Sequence, residues 1–190
     1  NILEFSKIEA GKDTFHKEDF DLHMFLLGLE EMFRLRAQQK GLSLIFKSGT
    51  DIPQFIRTDQ NKLRQILINL LGNAIKFTDK GSITLAVTKK RQIKEKQPGE
   101  VTLRFEIVDT GVGIAFEEQD KVFDAFVQTN GQRSSLQGTG LGLTISRKFA
   151  DLMGGVLTVN SIVSKGSSFT FDIPMELTDG AETKSSSFRH

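Results

Sequence analysis

The 190-residue chain is 38% hydrophobic and 26% charged, the balance expected of one soluble domain with short appendages. A net charge of +1 gives no bulk attraction to nucleic acid or an anionic membrane, so neither is expected as a partner. The absence of cysteine excludes disulfides and thiolate metal sites, and no signal peptide or bilayer-length apolar run is present; a reducing, cytoplasmic setting is expected. Residues Asn1 to Lys12 carry Ile2, Phe5 and Ile8 and stop at Gly11, which predicts the last turns of a helix with a glycine C-cap. Because the first residue is Asn1 within a helical pattern, the chain is expected to be a fragment of something longer. His16 to Asp21 is predicted as a polar joint. From Leu22 to Ala37, Phe25, Leu26, Leu29, Met32 and Phe33 follow helical spacing, and Gly41 ends that helix.

Leu42, Leu44 and Phe46 alternate as a strand, and Phe55 to Arg57 suggests a short second one. Asp59 is the expected N-cap of a helix whose apolar stripe is Leu63, Ile66, Leu67, Leu70, Leu71 and Ala74. Ser82 to Thr88 and Val101 to Val108 read as a strand pair joined by a charged loop, Lys89 to Glu100. A helix is expected over Leu141 to Met153, then a closing hairpin of Val156 to Val159 and Ser168 to Ile173 ended by Pro174. Glu176 to His190, rich in Ser, Thr and charge, is predicted to be a disordered tail.

Two glycine clusters bracket the middle of this order. Asp109-Thr-Gly-Val-Gly-Ile114 ends a strand, and Gly138-Thr-Gly-Leu-Gly-Leu143 opens a helix. Glycine lets backbone approach a ligand, and a helix start offers free N–H groups to a phosphate. Gly-rich turns beside strands are also plain hairpins. A second constellation lies on the Asp59 helix, where Asn69 and Asn73 at i, i+4 are followed by Lys76 and Phe77. Asparagine is a poor helix former, and Gly72 costs about another 1 kcal/mol against alanine. The amides either cap neighbouring backbone or offer carbonyl oxygens to a cation such as Mg²⁺, with Lys76 as a point charge for phosphate.

Taken together, Asn69-Leu-Leu-Gly-Asn73-Ala-Ile-Lys76-Phe77, Asp109-Thr-Gly-Val-Gly113, Val122-Phe123-Asp-Ala-Phe126 and Gly138-Thr-Gly-Leu-Gly142 resemble the N, G1, F and G2 boxes of the ATP-binding catalytic domain of sensor histidine kinases. That domain belongs to a superfamily shared with gyrase-type ATPases. Leu152-Met-Gly-Gly155 and Gly166-Ser-Ser-Phe-Thr-Phe171 resemble its closing hairpin, so the likeness covers Phe20 to Pro174. It implies an α+β fold, a two-layer α/β sandwich with a mixed five-stranded sheet and three main helices on one face (Bergerat-type). The implied organisation is residues 1–19 as the end of a second dimerisation helix plus joint, 20–175 as the kinase domain with a lid at about 114–138, and 176–190 as tail or linker.

By that resemblance Asp109 would accept a hydrogen bond from the adenine amino group, with Gly111, Gly113 and Ile114 beside it. Asn73 would hold Mg²⁺, Asn69 would lie near the phosphates, Lys76 would touch one of them, and these three would carry catalysis. Phe77, where many relatives carry tyrosine, would line the base pocket. Phe123 and Phe126 would anchor the lid, with Phe126 near the nucleotide. Gly138, Thr139, Gly140, Leu141, Gly142 and Leu143 would bring the lid's end to the phosphates, Leu141 and Leu143 as core residues. Gyrase-type relatives carry a water-activating glutamate where this chain has Asn69. An amide cannot act as a general base, so poor hydrolysis and transfer of the γ-phosphate to a histidine are implied instead. His16, His23 and His190 lack the acceptor's surroundings and are read as bystanders; Arg133 is the available lid arginine. The implied partners are the protein's own dimerisation and phosphotransfer helices, a response-regulator receiver domain, and a second copy in a homodimer of the full-length parent. Two other readings stay open: an ATPase driving a conformational cycle, and a nucleotide-binding module without catalysis.

Overall fold

A computed structural model describes residues 6, 10–11, 14–90, 99–127 and 140–180. Helix α1 (Leu22–Gln39) begins at Asp21, whose Oδ1 accepts the Met24 N–H at 2.9 Å, and is followed by Gly41 at φ +68°. Helix α2 (Gln60–Phe77) begins where expected, with Asp59 accepting the Lys62 N–H at 3.0 Å. Such side-chain acceptors answer N–H groups that a helix start leaves unpaired. Helix α4 (Gly142–Leu152) starts after Leu141 without a side-chain cap. A four-residue helix α3 (Phe116–Gln119) and a 3₁₀ turn at Lys121–Phe123 occupy the first half of the expected lid.

The sheet is mixed and has seven strands, two more than expected. The strands are β1 (Glu18–Asp21), β2 (Ser43–Ser48), β3 (Phe55–Thr58), β4 (Ser82–Lys89), β5 (Glu100–Asp109), β6 (Val156–Ile162) and β7 (Gly166–Leu177). Their order is β1-β3-β7-β5-β4-β2, with β6 also paired to β7; only β2 and β4 run parallel. Of the two strands beyond the implied five, β3 is the short strand expected at Phe55 to Arg57, and β1, at the edge of the sheet, was not expected. β1 lies where a polar joint was predicted: three of its four residues are acidic and only Phe20 is buried, so four residues show no readable alternation. An Arg57–Asp19 ion pair at 3.1 Å ties it to β3.

Alternation along the central strands decides which face is core. Val101, Leu103, Phe105 and Ile107 on β5, Ile83, Leu85 and Val87 on β4, and Phe169, Phe171, Ile173 and Met175 on β7 are buried. All three main helices pack on that face, and every residue of the predicted α2 stripe is buried. The other face is solvated and polar: Asp172 accepts two hydrogen bonds from Arg104, each 2.8 Å, and one from Lys90.

Three further expectations are corrected. Met32 is exposed rather than part of the α1 core face. Pro174 does not end β7, which runs on to Leu177. β6 pairs β7 only up to Asp172 and β3 only from Glu176, so the missing N–H falls where that edge of β7 has no neighbour. The predicted disordered tail begins late, since Glu176 and Leu177 are in β7 and Thr178 Oγ1 donates to Asp19 Oδ2 at 2.7 Å. Residues 181–190 lie outside the described range. At the other end Ala10 N–H donates to Ser6 O at 3.1 Å and Gly11 has φ +62°; the rest of the helix expected over Asn1 to Lys12 lies outside the described residues. Among the described residues no helix is long and apolar enough to cross a membrane.

Candidate functional site

The site forms where β5, α2 and the β6–β7 turn meet. Asp109 is the last residue of β5, in register with Ile83 on β4 and Ser167 on β7. Its Oδ1 accepts the Gly111 N–H at 2.9 Å and the Ser167 N–H at 3.3 Å; its Oδ2 takes no hydrogen bond among the described residues. Burial raises the carboxyl pKa above its ordinary value, and those two N–H donors offset part of the rise. An acceptor oxygen thus sits in a desolvated place with no partner from the described protein.

The turn after Asp109 is held against the end of α2. Val112 N–H donates to Phe77 O at 3.3 Å, and a Cβ on Gly111 would stand 2.4 Å from that carbonyl. Gly113, at φ +71°, faces the β6–β7 turn, where a Cβ would stand 2.2 Å from Ile162 O. Ile114 N–H donates to Ser161 Oγ at 2.8 Å, which keeps its half-buried side chain on the core rim. Phe77 is 40% exposed, an aromatic surface left open at the edge of this turn. The Lys76 ammonium lies 5.0 Å from its ring centroid.

One turn and two turns earlier on α2 come Asn73 and Asn69, and the structure separates their roles. Asn69 Nδ2 donates to Gly142 O at 3.0 Å and to Ser146 Oγ at 3.1 Å, tying α2 to the first turn of α4. For this residue the capping alternative describes what is seen. The half-buried Asn73 side chain makes no hydrogen bond among the described residues, so its amide oxygen is available. It can hold a hard cation only with help: among the described residues no group of three His, Asp or Glu forms a cage. One neutral oxygen plus phosphate oxygens and water is the donor set that Mg²⁺ accepts.

The second glycine cluster is looser. Gly138 and Thr139 lie outside the described residues, as does Arg133. Gly140, at φ +67°, accepts the Phe126 N–H at 3.1 Å, which closes the base of the lid. At Gly142 the nearest described atoms to an added Cβ belong to the Asn69 side chain, from 3.6 Å. Leu141 is wholly buried and Leu143 half-buried against the core, so Leu141 can meet a ligand only through its backbone. Phe123 is buried against the core, edge-on to Phe169 at 6.4 Å with the Arg147 guanidinium 4.6 Å from its centroid. The Phe126 ring is 66% exposed at φ +63°, and its backbone N–H is what meets Gly140.

The model of the histidine kinase-, DNA gyrase B- and HSP90-like ATPase family matches residues 58–177, which holds all of these elements except α1, β1, β2 and all but the last residue of β3. The chain belongs to that family. Within it, the similarity is to sensor histidine kinases. The sensory/regulatory protein RpfC of Xanthomonas campestris pv. campestris is 34% identical over 189 residues, 99% of this chain and 25% of RpfC. The aerobic respiration control sensor protein ArcB of Escherichia coli is 38% identical over 175 residues, 91% of this chain and 22% of ArcB. The crystal structure of full-length ShkA in complex with AMPPNP superposes with a TM-score of 0.79 at 31% identity, over 93% of this chain and 35% of that one. The chain is an ATP-binding catalytic domain of the sensor histidine kinase kind, and it spans about a quarter of the length of these curated relatives.

Four residues of this kinase domain's site went unnoticed in the sequence. Ser167 supplies a second N–H to Asp109, and Ser161 Oγ lies 2.9 Å from both Gly166 O and Ser167 Oγ while accepting from Ile114. Ser146 bridges Asn69 and Gly142. Thr78 is fully buried at the end of α2, its hydroxyl without a partner among the described residues and 2.9 Å from the position of a Gly111 Cβ. Serine and threonine are ordinary on strands and helices; the pairing of β5, β6 and β7 turns Ser161 and Ser167 toward the site, and helix α4 and the end of α2 place Ser146 and Thr78. His16 and His23 are exposed, outside the constellation.

Proposed function

We propose that this domain binds Mg-ATP and passes the γ-phosphate to a histidine on dimerisation and phosphotransfer helices of the same sensor kinase. A receiver domain of a response regulator would then take the phosphate, and the full-length parent would act as a homodimer. The observation that carries the reading is Asp109, a buried carboxylate with one oxygen engaged and the other without a partner among the described residues. An exocyclic amino group is a donor that suits it, and the open Phe77 ring and Ile114 offer apolar contact to a base. The likeness to ShkA, solved with AMPPNP, supports a nucleotide in this place.

In this reading Asn73 Oδ1 holds Mg²⁺, and Lys76 and the N–H groups at the start of α4 meet phosphate oxygens. Bound Mg²⁺ would neutralise charge building on those oxygens during transfer. An imidazole nitrogen lone pair forms the new bond to phosphorus while the bridging oxygen leaves with ADP. Asn69 keeps the start of α4 aligned through Gly142 and Ser146. Since its amide cannot take a proton from water, hydrolysis stays slow.

Calorimetric titration of ATP and ADP, with and without Mg²⁺, on the parent chain and on Asp109→Ala tests the reading. Saturable binding that is lost in Asp109→Ala is expected. Labelled phosphate appearing on an added helical domain containing the acceptor histidine, and not on a His→Gln version, tests transfer. Rapid steady-state hydrolysis would favour a conformational ATPase instead.

A further inference from the structure

Helix α2 carries Asn69, Asn73, Lys76 and Phe77, yet it ends without a backbone cap. Many helices finish in a left-handed glycine whose N–H turns back to the last carbonyls. Here the residue after Phe77 is Thr78, extended at φ −108° and ψ 118°. The orphan carbonyls find partners from elsewhere in the chain. Phe77 O accepts from Val112 in the turn after Asp109. The Lys40 ammonium, 35 residues earlier, donates to Ile75 O at 2.7 Å, to Lys76 O at 3.2 Å and to Thr78 O at 3.0 Å. Three donors meet three carbonyls at the negative end of the helix dipole.

Lys40 is itself held in place. It is the C-cap of α1, its backbone N–H bonded to Ala37 O and Gln38 O, and Gly41 follows at φ +68°. The ammonium therefore reaches α2 from a rigid platform, and its acceptors include the carbonyls of Lys76, Ile75 just before it and Thr78 just after Phe77. We propose that Lys40 is a positioning residue for the nucleotide site: it clamps the end of α2 so that Lys76 and Phe77 keep their aim, and with them the Asp109–Gly113 turn bonded to Phe77 O. This rests on the nucleotide reading above.

The test is calorimetry with Mg-ATP on the 190-residue chain and on Lys40→Met, which keeps the apolar stem and removes every donor. Losing charge-assisted bonds at one end of the site should weaken ATP binding about five-fold. Hydrogen exchange at the Val112 amide, donor to Phe77 O, and at Phe77 and Thr78 should quicken. Lys40→Gln, with one amide in place of the ammonium, should fall between and guards against a Lys40→Met chain that does not fold. A double-mutant cycle with Lys76→Met separates positioning from general stability. If Lys40 acts through Lys76, its effect on ATP affinity shrinks in the Lys76→Met background; a purely structural lysine gives additive losses. A lowered Tm with unchanged affinity in Lys40→Met, or additivity in the cycle, overturns the proposal. No ATP binding by the parent chain overturns the nucleotide reading itself.

Discussion

The two glycine clusters look alike in sequence and are built on different principles. In the first, side chains are excluded by neighbouring backbone: a Cβ at Gly111 would meet Phe77 O at 2.4 Å, and one at Gly113 would meet Ile162 O at 2.2 Å. These glycines let α2, the Asp109 turn and the β6–β7 turn close on one another. In the second, the Gly142 site has ordinary contact space, with Asn69 at 3.6 Å, while Gly140, at φ +67°, would bring a Cβ within 3.0 Å of Phe126 backbone and 3.2 Å of Val127 O. No contact among the described residues requires glycine at 142, whereas neighbouring backbone requires it at 111 and 113.

Substitutions sharpen or break that contrast. Gly113→Ala should be the most damaging, because a left-handed φ and a backbone clash combine; a loss of about 3 kcal/mol or more is expected in urea denaturation. Gly111→Ala should follow at about 2 kcal/mol, from clashes with Phe77 O, Asp109 Oδ1 and Thr78 Oγ1 but without a left-handed φ. Either variant unfolding like the parent would break the comparison. Gly142→Ala should leave stability unchanged or raise it by about 0.5 kcal/mol, as alanine favours a helix. Its ATP affinity should nonetheless fall about ten-fold, the worth of roughly one charge-assisted hydrogen bond. Equal affinity would mean that the second cluster, too, is only a turn.

Smaller effects follow from charge. Because burial raises the Asp109 pKa, the folded state favours the protonated form. That contribution is fully present below the unfolded carboxylate pKa and is lost as pH rises through the folded one. Asp109→Asn keeps an Oδ1 for the Gly111 and Ser167 N–H groups, so its ligand-free Tm should exceed the parent's at pH 7, and the gap should close on acidification. Adenine-nucleotide binding should weaken in the same variant. On the solvated face Arg104 holds the Asp172 carboxyl below its ordinary range, so that pair stabilises above the unfolded pKa and fades as pH falls through the folded one. Both partners are partly exposed, and Arg104→Ala should cost about 0.5–1 kcal/mol, less at high salt, without touching nucleotide affinity.

Long periodic segments were legible. The α2 stripe, its Asp59 cap and the alternation of β4 and β5 all appear as read, because burial on one face imposes a period that local residues must obey. β1 was not, since four residues with one buried side chain carry no period, and its strand character comes from pairing with Phe55–Thr58. Pro174 misled for a related reason: a missing N–H ends a strand only where a neighbour would have received it.

The site divides in the same way. The residue types at Asp109, Asn73, Lys76 and the glycines, in their order, carried the resemblance to the family without coordinates. Tertiary structure alone decided how they are held. It brought Ser167 to Asp109 across 58 residues, Gly142 to Asn69 across 73, and the Lys40 ammonium to the end of α2 across 35 to 38. Each is a hydrogen bond between elements far apart in sequence, and no local pattern records which donor a distant carbonyl or carboxylate will meet.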